Sequence, residues 1–169
     1  MKLQDLLYKV RIVKLIGLNN INISNIQFDS RKIKKDALFI AIKGVFSDGN
    51  QYIQSAIKDG AIAVIVEQMP TELNNDITYI QVESSYNTLA IIAANFYNNP
   101  SAKIKLIGLT GTNGKTTIVS LLHQIFSLLN KKVGMISTIE NKILEDVLIS
   151  THTTPDALQI NYLLNKMIE

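Results

Sequence analysis

The chain has 169 residues, a net charge of +3, 47% hydrophobic and 18% charged residues, and no cysteine. This describes a folded globular protein, and it excludes disulfides, thiolate nucleophiles and cysteine metal sites. No apolar run reaches the roughly 18 residues of a membrane span, and the start M-K-L-Q-D-L-L-Y-K-V lacks the apolar core of a signal peptide, so no membrane partner is expected and cytoplasm is the expected compartment.

Leu3, Leu6, Leu7 and Val10 have helical spacing and predict a short N-terminal helix. Ile21, Ile23, Ile26 and Phe28 read as a strand running into Asp29-Ser30-Arg31, and residues 37–42 as a second strand after a basic turn. That turn holds the densest positive cluster, Arg31, Lys32, Lys34 and Lys35, without interleaved aromatic residues, so nucleic acid is not an expected partner. The loop 43–50 carries Gly44 and Asp48-Gly49. Ile53, Ala56 and Ile57 predict a helix closed by Gly60. Residues 61–66 form a β-branched run expected as a buried strand, and Tyr79, Ile80 and Val82 another. Ser84 or Ser85 caps the helix carrying Leu89, Ile92, Ala93 and Phe96. Asn98-Asn99-Pro100-Ser101 breaks that helix and divides the chain into domains 1–100 and 101–169.

The second part opens with an apolar run, 104–109, expected as a strand. A helix with Ile118, Leu121, Leu122, Ile125, Phe126 and Leu129 on a wide apolar face follows the turn T-G-T-N-G-K-T-T at 110–117. Residues 133–136 read as a second strand, parallel to the first under the right-handed crossover rule. Thr154 as cap and Pro155 at the first helical position open the last helix. The expected fold class is α/β: a small mixed-sheet N-terminal domain, then an incomplete parallel-sheet P-loop domain. Two strands and two helices are too few to close a mononucleotide-binding sheet, so exposed apolar surface is expected there, and the chain reads as a fragment.

The turn at 110–117 carries the chemistry. Glycines Gly111 and Gly114 can take positive φ and let backbone N–H groups approach phosphate oxygens. Thr112, Asn113 and Thr117 add N–H groups around the positive end of the helix. Lys115 fits the role of reaching the β and γ phosphates, and the Thr116 hydroxyl that of a Mg2+ ligand. The Walker pattern is met at Gly114, Lys115 and Thr116, whereas its first glycine position holds Leu109. The turn reads as a variant P-loop for ATP and Mg2+, against the plainer reading of an ordinary turn whose lysine opens an exposed helix.

Four blocks together resemble the ATP-dependent Mur ligases of peptidoglycan synthesis. They are Asp29-Ser30-Arg31 with D-A-L-F-I-A-I-K-G at 36–44; D-G-N-Q-Y-I at 48–53 with A-I-K-D-G-A at 56–61; T-G-T-N-G-K-T-T at 110–117; and T-T-P-D-A-L at 153–158. The last block is similar to the members that add the third residue of the peptide. The resemblance implies a ligase in which ATP phosphorylates the D-glutamate carboxylate of UDP-N-acetylmuramoyl-L-alanyl-D-glutamate and a diamino acid, meso-diaminopimelate or L-lysine, attacks the acyl phosphate. It implies that Ser30 contacts the UDP part, Gly111 to Thr117 the ATP phosphates, and Thr153 with Thr154 the muramoyl dipeptide, with Lys115 as the catalytic residue. It also implies that the magnesium- and amine-binding parts lie beyond Glu169, leaving this chain inactive alone.

Plainer readings stand beside these. Asp29-Ser30-Arg31 also fits a polar turn, Lys43 and Asp48 a solvated loop, and Thr153 and Thr154 a helix cap. His152, without partners at ligand spacing, is a poor metal candidate, and His123 is expected on a helix surface without a role. The competing functions are a UDP-precursor-binding module without catalysis, another P-loop enzyme such as a kinase or GTPase, and the sister ligase that adds D-alanyl-D-alanine. The sequence leaves the oligomeric state open.

Overall fold

A computed structural model describes residues 1–44, 47–144, 146–149 and 155–169. The chain divides into two units, Met1–Asn98 and Asn99–Glu169.

In the first unit a five-stranded sheet has the order β1-β5-β4-β3-β2. The strands are β1 (Ile12–Ile16), β2 (Asn25–Gln27), β3 (Ala37–Ile40), β4 (Ala61–Val66) and β5 (Thr78–Val82). Strands β2 to β5 run parallel, and β1 pairs antiparallel to β5, giving the expected mixed sheet. β3 and β4 are apolar throughout because both faces are covered. On one face Phe39, Val64, Val66 and Tyr79 pack with Ile53 and Ala56 of α2 (Ile53–Lys58). On the other, the alternate residues Leu38, Ile40, Ala63, Ile65 and Ile80 are equally buried. α1 (Leu3–Leu6) packs against α3 (Ser85–Phe96), where Asn95 Nδ2 donates to the carbonyls of Leu6 at 2.9 Å and Tyr8 at 2.8 Å. Ser84 is the cap of α3, its hydroxyl accepting from Asn87 N. The helix ends before Asn98 and Asn99, both left-handed, and Pro100.

The second unit departs from the expected connectivity. α4 (Lys115–Leu128) packs on β6 (Gly134–Ile136), but β6 is not paired with residues 104–109. It pairs antiparallel with β7 (Glu140–Ile143), which pairs antiparallel with β8 (Asp146–Ile149). Residues 105–110 have no regular structure, and Leu106 and Ile107 are more than half exposed. An isolated segment cannot satisfy its N–H and C=O groups as a strand, so without a neighbouring parallel strand the run stays unpaired. α4 accordingly has no buried residue, and Ile118, Leu121 and Ile125 are about half exposed. α5 (Ala157–Ile168) buries Leu163 and Leu164 and packs on the turn at Pro100–Ala102. Its cap is Asp156 rather than the expected Thr154: α5 starts at Ala157, and the Asp156 carboxylate accepts from Gln159 N at 2.8 Å, three residues on.

Candidate functional site

Each unit presents one candidate site. In the second, Gly114 precedes α4 with φ +78° and Gly111 has φ +150°, conformations that a side chain would strain. A Cβ on either would meet no protein atom closer than 3.8 Å, so the loop mouth is open. Gly114 offers no capping side chain, which leaves the first N–H groups of α4 uncapped at the positive end of a 14-residue helix. The Lys115 ammonium folds back across the loop and donates to the carbonyls of Gly111 and, at 3.2 Å, of Thr112. It thereby neutralises the loop's inward carbonyls and keeps a positive charge beside the free N–H groups. Residues 111–115 are exposed, and Thr116, half-buried, has its Oγ1 3.5 Å from Thr138 Oγ1.

Such a loop can receive a polyphosphate. Among the described residues no cluster of His, Cys, Asp or Glu could hold a metal ion by itself. Mg2+ does not require one: it keeps waters, takes phosphate oxygens and uses one or two protein donors. The Thr116 hydroxyl, beside an open anion cradle, fits that donor role.

In the first unit the C-terminal ends of β2 to β5 share one sheet edge, where open α/β sheets bind ligands. Ser30 follows β2 there. It starts a 3-10 turn held by Asp29, whose Oδ1 accepts from Arg31 N at 3.1 Å, while Arg31 Nε and Nη2 each reach the same carboxylate at 2.9 Å. The hydrogen bonds from Arg31 hold the Asp29 carboxyl below its ordinary value. Asp48 follows β3, and its Oδ1 accepts from Asn50 N at 3.0 Å and Asn50 Nδ2 at 2.7 Å, which lowers its pKa as well. Gly49 N donates to Ile42 O at 2.9 Å, and a Cβ at Gly49 would lie 2.6 Å from Ile42 N. This close approach explains the glycine of D-G-N.

The structure brings Gly111, Thr112 and Lys115 together around the loop and leaves Ser30 in the other unit. The expected ligands Thr153 and Thr154, with His152, lie outside the described residues. His123 is not on a free surface: it is half-buried and its Nε2 is buried without a hydrogen-bond partner. Thr138 escaped sequence reasoning because nothing local marks it; it reaches Thr116 only through the packing of α4 on β6.

These features define an α/β protein with a P-loop-type turn at a helix start. Residues 109–169 match the Mur ligase middle domain, and residues 22–97 match the Mur ligase family catalytic domain. The UDP-N-acetylmuramoyl-L-alanyl-D-glutamate–2,6-diaminopimelate ligase of Cytophaga hutchinsonii is 48% identical over 170 residues, covering 100% of this chain and 35% of the relative. The ligase of the same name from Bacteroides fragilis is 43% identical, again over 100% of this chain and 35% of its own length. A solved structure of a ligase of this name superposes with a TM-score of 0.71 at 23% identity, over 99% of this chain and 33% of that one. The MurF ligase of Thermotoga maritima in complex with ADP matches 64% of this chain and 24% of its own at 31% identity, with a TM-score of 0.51. The chain belongs to the Mur ligase family, and it spans about a third of the length of the curated relatives it matches.

Proposed function

We propose that the chain forms part of an ATP-dependent ligase that joins diaminopimelate to UDP-N-acetylmuramoyl-L-alanyl-D-glutamate through an acyl phosphate. The observation that carries this reading is similarity along the whole chain, 41–48% identical to the first four relatives, all named for that reaction. Those names also favour diaminopimelate over lysine and over the D-alanyl-D-alanine-adding sister activity.

The chain's own residues would act at two places. In the second unit, the N–H groups at the start of α4 and the glycine loop hold the ATP phosphates, and Lys115 moves its ammonium from the loop carbonyls to phosphate oxygens. Magnesium, when bound, supplies charge neutralisation for phosphoryl transfer, with Thr116 as its protein ligand. The ADP complex of the Thermotoga relative supports nucleotide binding. In the first unit, Ser30 at the ligand-binding sheet edge contacts the UDP part of the precursor. Thr153 and Thr154 contact its muramoyl dipeptide. The isolated 169-residue chain is expected to bind without ligating.

Calorimetry of Mg–ATP binding, comparing the wild-type chain with Lys115→Ala, tests the reading. Binding that the substitution weakens at least about tenfold is expected, since hydrogen bonds to charged groups contribute roughly 1.5–3 kcal/mol. Equal affinity of the two proteins would refute the role of Lys115.

One observation favours a second reading, a UDP-precursor-binding module that does not bind ATP. The sheet of the first unit is buried on both faces, whereas α4 in the second buries no residue. Binding of the UDP precursor with no binding of ATP by a folded wild-type chain would select it.

A further inference from the structure

We propose that Thr138 is a positioning residue of the phosphate loop: its Oγ1 accepts the Thr116 hydroxyl proton and thereby turns the Thr116 lone pairs toward loop-bound magnesium nucleotide. The inference rests on the nucleotide reading above and adds a residue to it.

The argument is one of proton accounting. A hydroxyl has one donor and two acceptor sites. A threonine that gives a lone pair to a cation must send its proton elsewhere, because a proton aimed at a dication is repelled. A helical threonine normally donates to the carbonyl four residues back. For Thr116 that carbonyl belongs to Thr112, which lies before the helix start and accepts from Lys115 Nζ at 3.2 Å. Among the described residues, the side-chain hydroxyl within reach of Thr116 Oγ1 is that of Thr138, at 3.5 Å, and either of the two can donate.

Thr138 is also held where it is needed. It lies two residues after β6, the strand on which α4 packs, in the turn that leads to β7. Ser137 braces that turn: its Oγ donates to Glu140 O at 2.7 Å and accepts from Glu140 N at 3.2 Å and Ile139 N at 3.4 Å. Thr138 itself is exposed, so its side chain does no work in a core. Its remaining proton is free for water or a phosphate oxygen.

The test is calorimetry on the full chain with Mg–ATP and with ATP in EDTA, for wild type, Thr138→Val, Thr138→Ser, Thr116→Ala and the Thr116→Ala/Thr138→Val double variant, each shown to be folded by circular dichroism. Thr138→Val should weaken Mg–ATP binding by about three- to tenfold, the range for one neutral hydrogen bond. It should leave binding in EDTA unchanged, and serine should restore the wild-type affinity. In the Thr116→Ala background the valine should cost nothing further. Wild-type Mg–ATP affinity in Thr138→Val, equal weakening with and without magnesium, or failure of serine to rescue would each overturn the role of Thr138 while leaving the nucleotide reading intact. No ATP binding by the folded wild-type chain would overturn both.

Discussion

Gly49→Ala should destabilise the first unit by an amount that the structure allows to be worked out. The new Cβ would stand 2.6 Å from Ile42 N, 2.7 Å from Ile42 O and 3.1 Å from Ala41 C, all backbone atoms directly after β3. No flexible side chain can yield, so the turn must move away from the strand. Overpacking of this kind costs about 1–3 kcal/mol. Moving the turn also stretches the 2.9 Å bond from Gly49 N to Ile42 O, a further loss of about 0.5–1.5 kcal/mol. The sum, about 1.5–4.5 kcal/mol, corresponds to a fall in Tm of at least about 6 °C for a unit of this size. Urea unfolding followed by circular dichroism, with hydrogen exchange of β3 and β4 to assign the transition to the first unit, measures it. Gly108→Ala is the control, since a Cβ there meets nothing within 4 Å. A loss below about 0.5 kcal/mol, the ordinary range of surface substitutions, or an equal loss in the control, would refute the steric argument.

Two further outcomes follow from the charges and from the open face of α4. The folded-state pKa of Asp29 lies below its ordinary value of 3.8, so its contribution to stability is fully present above that pH and disappears as pH falls through the folded value. Asp29→Asn should therefore lower the urea midpoint at pH 6 and match wild type in strong acid. The gap at pH 6 should narrow with salt, because Arg31 is 87% exposed. Leu121→Glu with Ile125→Glu places charge on residues that are each 51% exposed; it should leave the melting temperature nearly unchanged and reduce self-association in light scattering. A large loss of stability would show that this face is already packed.

The elements that sequence patterns disclosed are those whose signal is local. β4 reads as a strand because six apolar, largely β-branched residues are bounded by Gly60 and a polar loop, and α3 because Ser84 precedes a helical apolar repeat. β1 was illegible: it is a half-exposed edge strand, Ile12-Val13-Lys14-Leu15-Ile16, without clear alternation. Residues 104–109 show the converse, an apolar run whose strand character depends on neighbours. β7, beginning Glu140-Asn141-Lys142, looks polar because only Asn141 of the four is buried. The loop 110–117 was legible because its function needs a fixed order of residue types. Thr138 belongs to the same site by tertiary packing alone, 22 residues from its partner.

The strand pairings of the first unit have a consequence for synthesis. Every one of them, including the joining of β1 to β5, is made within the first 82 residues. A chain elongating at roughly 5–20 residues per second needs about 1.4–5.6 s to add the 28 residues after Val82 up to and including Thr110, the start of the glycine loop. Mixed α/β domains fold faster than that, in milliseconds to about a second. The sheet edge bearing Ser30 is thus assembled before the glycine loop and α4 have been added, and the apolar face of α4 is made only after the strands of the first unit have paired.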